Sequence, residues 1–123
     1  MCISKYSDLL DRNKVWVGQQ LIRDDNTFKA HAEGQSPPYL FLGCSDSRVV
    51  PNEFLDLSMG ELFVQRNIAN QASLDDLNWQ SVLEYAVTAL NVPHVIVCGH
   101  YGCGGVMAAY TDEAPGTVKN WIA

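Results

Sequence analysis

The sequence predicts one α/β domain, a largely parallel central β-sheet flanked by helices. Two observations carry this expectation. Short continuous apolar runs at 39–43, 62–64 and 94–98 alternate with segments of helical spacing, as in sheets whose strands are covered on both faces. The first and last of these runs break directly into segments rich in cysteine, histidine and glycine. Open α/β sheets place their ligands at that position, past the carboxyl ends of strands.

The elements follow in order. Apolar residues at Tyr6, Leu9, Leu10, Trp16, Val17, Leu21 and Ile22 have partly helical spacing that Gly18 interrupts, so residues 4–22 predict one or two helices. Residues 28–31 add a short helix. Two prolines in Gly34-Gln35-Ser36-Pro37-Pro38 make that stretch a loop. Residues 1–33 therefore form an N-terminal helical arm and 34–123 the α/β core of one overall domain. In the core, 39–43 is a buried strand, 52–57 a short helix, Ser58-Met59-Gly60 a turn, and 61–66 contains a second strand. The clearest helix spans 74–90, with Ser73 as its cap and Asp75 and Asp76 complementing its dipole. Asn91-Val92-Pro93 stops it before the buried strand 94–98, and a further helix begins near 106–110.

The composition narrows the function classes. The 123 residues fit one domain, and 47% hydrophobic content suffices for a core. A net charge of −6 repels phosphate backbones, which argues against nucleic acid. No apolar run approaches the roughly 20 residues that span a bilayer. Met1-Cys2-Ile3-Ser4-Lys5 lacks the apolar run of a secretory signal, so a soluble cytoplasmic protein is expected. In a reducing compartment its four cysteines read as ligands or core residues rather than disulfides. Cys98 lies in an apolar run and reads as core, Cys2 carries no argument, and His31 and His94 read as surface residues.

Cys44-Ser45-Asp46-Ser47-Arg48 and His100-Tyr101-Gly102-Cys103 carry the chemistry. Two thiols and one imidazole suffice for one zinc ion per chain with a fourth position open. Cys103, at a helix start, has a stabilised thiolate. Zinc brings the pKa of bound water toward about 7. Two thiolates oppose that effect by donating charge, so a neighbouring group must help. Asp46 and Arg48 step along the same side as Cys44, and a bidentate pair would hold the carboxylate as a fixed acceptor. Asp46 could instead occupy the fourth position in a closed state. A fourth side chain could also make the site purely structural, and the Asp46–Arg48 pair alone reads as an ion pair at a strand end.

These two motifs resemble the β-class carbonic anhydrases. The likeness continues through Gly60-Glu61-Leu62-Phe63-Val64, Arg66-Asn67-Ile68-Ala69-Asn70, Glu84-Tyr85-Ala86-Val87 and Cys103-Gly104-Gly105. It implies reversible hydration of carbon dioxide to bicarbonate and a proton by a zinc-held hydroxide. Asp46 and Arg48 would be the catalytic dyad. Gln35 resembles a substrate-holding glutamine of plant-like members, which favours the open form with water as fourth ligand. Phe63, Ile68, Tyr85 and Gly104 match residues lining a small apolar substrate pocket, although by pattern alone Phe63 and Tyr85 are core residues first. The resemblance also implies a homodimer or higher homo-oligomer. Members usually continue well beyond Trp121-Ile122-Ala123, adding helices and a strand, so the expected fold is C-terminally shortened. Relatives of the fold that hydrolyse carbonyl sulfide or carbon disulfide, and a non-catalytic zinc-binding or oligomerisation module, are the alternatives.

Overall fold

Apolar and small side chains of Tyr39–Cys44 form β1, the central strand of a three-stranded sheet ordered β2-β1-β3, with β2 at Leu62–Asn67 and β3 at His94–Val97. The computed structural model describes residues 5–123, so the readings placed on residues 1–4, Cys2 among them, lie outside the described residues. Both pairings are parallel, with Tyr39 opposite Leu62 on one side and His94 on the other. Parallel strands need crossover connections, and the helical segments between the apolar runs supply them.

The chain divides into two compact units, Met1–Gln35 and Ser36–Ala123. In the first, α1 (Tyr6–Arg23) and α2 (Thr27–Ala32) meet where Trp16 and Phe28 pack edge to face, ring centroids 5.8 Å apart. The expected interruption at Gly18 does not occur. One glycine costs a helix only about 1 kcal/mol relative to alanine, and the other residues of α1 carry it through.

The second unit holds the sheet with α3 (Pro51–Phe54), α4 (Leu77–Glu84), α5 (Gly104–Thr111) and α6 (Gly116–Ile122). On one side Leu40 and Leu42 pack with Trp79, Ala86 and Val92. On the other, Phe41 packs with Cys44, Val49 and Cys103. Leu40, Phe41 and Leu42 are fully buried, and each such side chain contributes about 1.5–3 kcal/mol through loss of apolar surface from water.

Four expectations need correction. The helix expected at 74–90 starts at Leu77, because Asp76 is the residue whose side chain caps it, accepting from the Asn78 amide at 3.1 Å. Ser73 closes a separate turn, its Oγ accepting from the Asp75 amide at 3.2 Å. Past Glu84 the helix widens into a π-turn at Tyr85–Ala89, where the Leu90 amide donates to the Tyr85 carbonyl at 3.0 Å. The short helix expected at 52–57 closes at Phe54, and Asp56 takes a left-handed backbone conformation. The strand near 94–98 is an edge rather than a buried strand, with Val95 and Val97 46% and 56% exposed. The sequence reading also did not foresee α6. No helix among the described residues is long and apolar enough to cross a membrane.

Centre and edge of the sheet should respond differently to truncation. Leu42→Ala should lower unfolding free energy by about 2–5 kcal/mol in urea titration, whereas Val97→Ala should change it by about 0.5 kcal/mol or less. Equal losses would contradict the described burial.

Candidate metal centre

Parallel pairing brings the carboxyl ends of β1 and β3 to the same end of the sheet. The ladder continues one residue past β3, where the Cys98 amide donates to the Leu42 carbonyl at 2.9 Å. Gly102 takes a left-handed conformation (φ 64°) that turns the chain from His100 to Cys103, the N-cap of α5. On the β1 side the Val49 amide donates to the Asp46 carbonyl at 3.0 Å and closes a tight turn after Cys44.

The sulfurs of Cys44 and Cys103 and a ring nitrogen of His100 all lie within 4.8 Å of one another. The two sulfurs are 3.9 Å apart. Tetrahedral zinc with Zn–S bonds near 2.3 Å needs a sulfur–sulfur edge of about 3.8 Å, so the spacing fits. The imidazole fits as well. Its Nδ1 lies 3.0 Å from the Tyr101 carbonyl and serves as the donor to it, which leaves Nε2 as the free acceptor. Nε2 is buried with no hydrogen-bond partner among the described residues. An orphaned imidazole nitrogen beside two thiols has the donor character of a metal-ligand set.

Asp46 stands next to this cluster, its Oδ2 3.9 Å from His100 Nε2. Arg48 holds it three ways. The Arg48 amide and Nε both donate to Oδ1 at 2.9 Å, and Nη2 donates to Oδ2 at 2.7 Å. These side-chain bonds, and then the amide bond, hold the Asp46 carboxyl well below the usual carboxylate range. The same pairing raises the Arg48 guanidinium. Nη2 also donates to the Gly102 carbonyl at 3.2 Å, so Arg48 ties together the loops that carry Cys44 and Cys103. Burial pushes the Cys44 thiol up. Interactions with the Asp46 amide, the His100 ring, the Ala69 amide and the Cys103 thiol outweigh it and bring the group from 9.0 down to about 7.

Two contributors escaped the sequence reading. Arg66 donates from Nε to the Cys44 carbonyl at 2.8 Å and from Nη2 to the Asp46 carbonyl at 2.7 Å, bracing the backbone of the first motif from β2. Its signal was a charged residue in a strand facing that motif. Ala69 sits in a left-handed conformation (φ 65°, ψ 23°) within the 3-10 turn Ile68–Asn70, which costs a non-glycine residue about 1–2 kcal/mol. Ala69 packs against the cluster that holds Cys44 and Cys103. No sequence pattern announces such a backbone conformation.

The residues matched to a substrate pocket fall into separate places. Phe63 and Tyr85 stack with ring centroids 5.8 Å apart, Phe63 packing on the cluster around Leu40 and Leu42. Tyr85 is half exposed, so it is not the core residue its pattern suggests. Ile68 lies against the start of α5, where its Cγ2 would stand 2.8 Å from a Cβ on Gly105. Gly104 is exposed next to Cys103. Gln35 ends the first unit with its side chain exposed. Cys98 is partly buried against the Phe41 cluster, and His31 and His94 are exposed.

The profile of the carbonic anhydrase family matches residues 39–123. A carbonic anhydrase of Emericella nidulans is 47% identical over 117 residues, which cover 95% of this chain and 51% of that protein. Among solved structures, a Coccomyxa β-carbonic anhydrase in complex with acetazolamide matches with TM-score 0.90 and 40% identity, over 98% of this chain and 55% of the other. One of two tetrameric β-carbonic anhydrases from Sordaria macrospora matches with TM-score 0.91 and 39% identity, over 95% and 60%. The chain thus spans about half the length of the curated relatives it matches.

The Cys44 thiol fixes a pH dependence for metal binding. An ion takes the thiolate, which predominates above about pH 7 and is protonated below it. Zinc affinity, measured by chelator competition, should therefore fall by up to about tenfold per pH unit below 7 through this group. Affinity unchanged between about pH 5 and pH 7 would contradict thiolate ligation.

Proposed function

We propose that this chain, which belongs to the β-carbonic anhydrase family, holds one zinc ion on Cys44, His100 and Cys103 and catalyses reversible hydration of carbon dioxide to bicarbonate and a proton. The observation that carries the reading is the Asp46 carboxylate, locked by Arg48 with one oxygen beside the ligand cluster. Zinc, when bound, supplies a water of lowered pKa as nucleophile near neutral pH.

The chain's own residues orient that nucleophile. Asp46 Oδ2 accepts a hydrogen bond from it and fixes the direction of its lone pair. Because Arg48 keeps Asp46 ionised, the carboxylate remains an acceptor and does not store the proton, which passes to solvent buffer. Arg48 also decides between the two forms of the site. Both Asp46 oxygens are bonded to the guanidinium, and moving the carboxylate onto the metal would sacrifice that geometry. This favours the open form, with the fourth position left to solvent or substrate. Ile68 and Gly104 border the cluster on the side of α5, and Phe63 and Tyr85, which pair with each other, are further proposed substrate contacts.

The reading includes a homo-oligomer. Val64, Tyr85, Val87, Val95 and Val97 are 39–56% exposed, an amount of apolar surface that a further subunit would cover. The relative from Sordaria macrospora is described as tetrameric.

Stopped-flow hydration of carbon dioxide on zinc-loaded protein tests the reading. Asp46→Asn should keep zinc and lose at least about a hundredfold in kcat/KM, since losing one preorganised hydrogen-bonding group at a reacting centre costs about 10²–10³-fold. Arg48→Lys, which cannot form the bidentate pair, should also retain zinc and lose activity. An Asp46→Asn variant with parental activity would rule out the assigned role.

A further inference from the structure

Trp121, in the last turn of α6, reaches back to the 3-10 turn beside the metal ligands. Its indole Nε1 donates to the Ile68 carbonyl at 2.7 Å, and its own carbonyl accepts from Gln71 Nε2 at 2.9 Å. The turn between is closed by Asn67, whose Nδ2 donates to the Gln71 carbonyl at 2.8 Å and whose Oδ1 accepts from the Gln71 amide at 2.7 Å. Alpha-5 presses on the same turn. A Cβ on Gly105 would stand 3.0 Å from the Ala69 Cβ and 3.3 Å from the Ala69 amide nitrogen, so only glycine admits this approach without displacement.

The Ile68 carbonyl and the Ala69 N–H belong to one trans peptide, and the two ends of a trans peptide point in opposite directions. One end is held by Trp121. The other points away from Trp121, and Ala69 packs against the cluster that holds Cys44 and Cys103. An otherwise unfavourable left-handed Ala69 persists because both sides of its peptide are fixed.

We propose that Trp121 is a positioning residue for the metal centre, which aims the Ile68–Ala69 peptide so that its N–H donates to the Cys44 sulfur. An N–H bond to a metal-bound thiolate withdraws charge from the sulfur. Less charge then reaches the metal, which offsets the donation from two thiolates and leaves a stronger Lewis acid. The indole bond polarises the same peptide and strengthens its N–H as a donor. This inference rests on Cys44 being a metal ligand, and its test is separable from hydration activity.

The experiment compares Trp121→Phe with the parent chain and with Val118→Ala, a change in the same helix that trims a partly buried side chain and touches neither Ile68 nor Cys44 by hydrogen bond. Phenylalanine keeps the aromatic ring and removes the indole donor. With cobalt(II) as the probe, Trp121→Phe should bind roughly tenfold more weakly, as loss of an outer-shell partner does. Its thiolate-to-cobalt charge-transfer band should move to lower energy, because the sulfur is more electron-rich. Val118→Ala should lower the melting temperature without moving the band. An unshifted band in Trp121→Phe, or equal shifts in the two variants, overturns the proposal. A second measurement needs no variant. In the parent chain loaded with spin-active cadmium, scalar coupling between the Ala69 amide proton and the metal should be visible across the N–H···S bond. Its absence overturns the proposal even if Trp121→Phe does not fold. Failure of the parent chain to bind cobalt overturns the metal reading and this inference with it, whereas binding with an unshifted Trp121→Phe band overturns this inference alone.

Discussion

Everything at the candidate centre depends on the parallel pairing of β1 with β3. The register that sets Leu42 opposite Val97, extended by the bond from Cys98 to Leu42, brings the carboxyl ends of both strands to the same end of the sheet. Cys44 then leaves one strand near where His100 leaves the next, and two thiols and an imidazole distant in sequence come within a few ångströms. An antiparallel pairing would send the two motifs to opposite ends. The buried run at the centre of the sheet therefore acts as the positioning element, and its three fully buried side chains hold the alignment.

Charge balance explains the polar shell. Two thiolates and a carboxylate in one cluster would repel one another. A divalent cation would offset the thiolates, while Arg48 neutralises Asp46 and ties it to the Gly102 carbonyl. Arg66 satisfies the two carbonyls that the first motif exposes as it leaves the ladder. The chain is acidic overall, so the arginines here serve a local balance rather than a surface field.

The legible part of the fold was the part whose signal is local. The apolar run at β1, its break at Gly43-Cys44, and the Cys44/His100/Cys103 set with Asp46 and Arg48 all follow from residue types at short spacing, and the structure brings these residues together. Burial at β3 was misread because an apolar run looks the same in a central and an edge strand, and only the strand order separates them. Asp76 displaced Ser73 as cap because both residue types suit the role and packing of Trp79 decides the frame. Helical spacing alone places Tyr85 in the core, but half of it is exposed, and its ring meets Phe63 rather than the interior. Trp121 and Ala69 were invisible in sequence. Each acts through a backbone group, one of them 53 residues away, and no side-chain pattern encodes that contact.

X-ray absorption at the zinc edge of the loaded chain tests the central claim most directly, since it reads the ligand atoms themselves. The account predicts two sulfur scatterers near about 2.3 Å, one imidazole nitrogen near about 2.0–2.1 Å, and one further light atom from solvent. A spectrum without sulfur, or one with four protein sulfurs drawn from more than one chain, would contradict it.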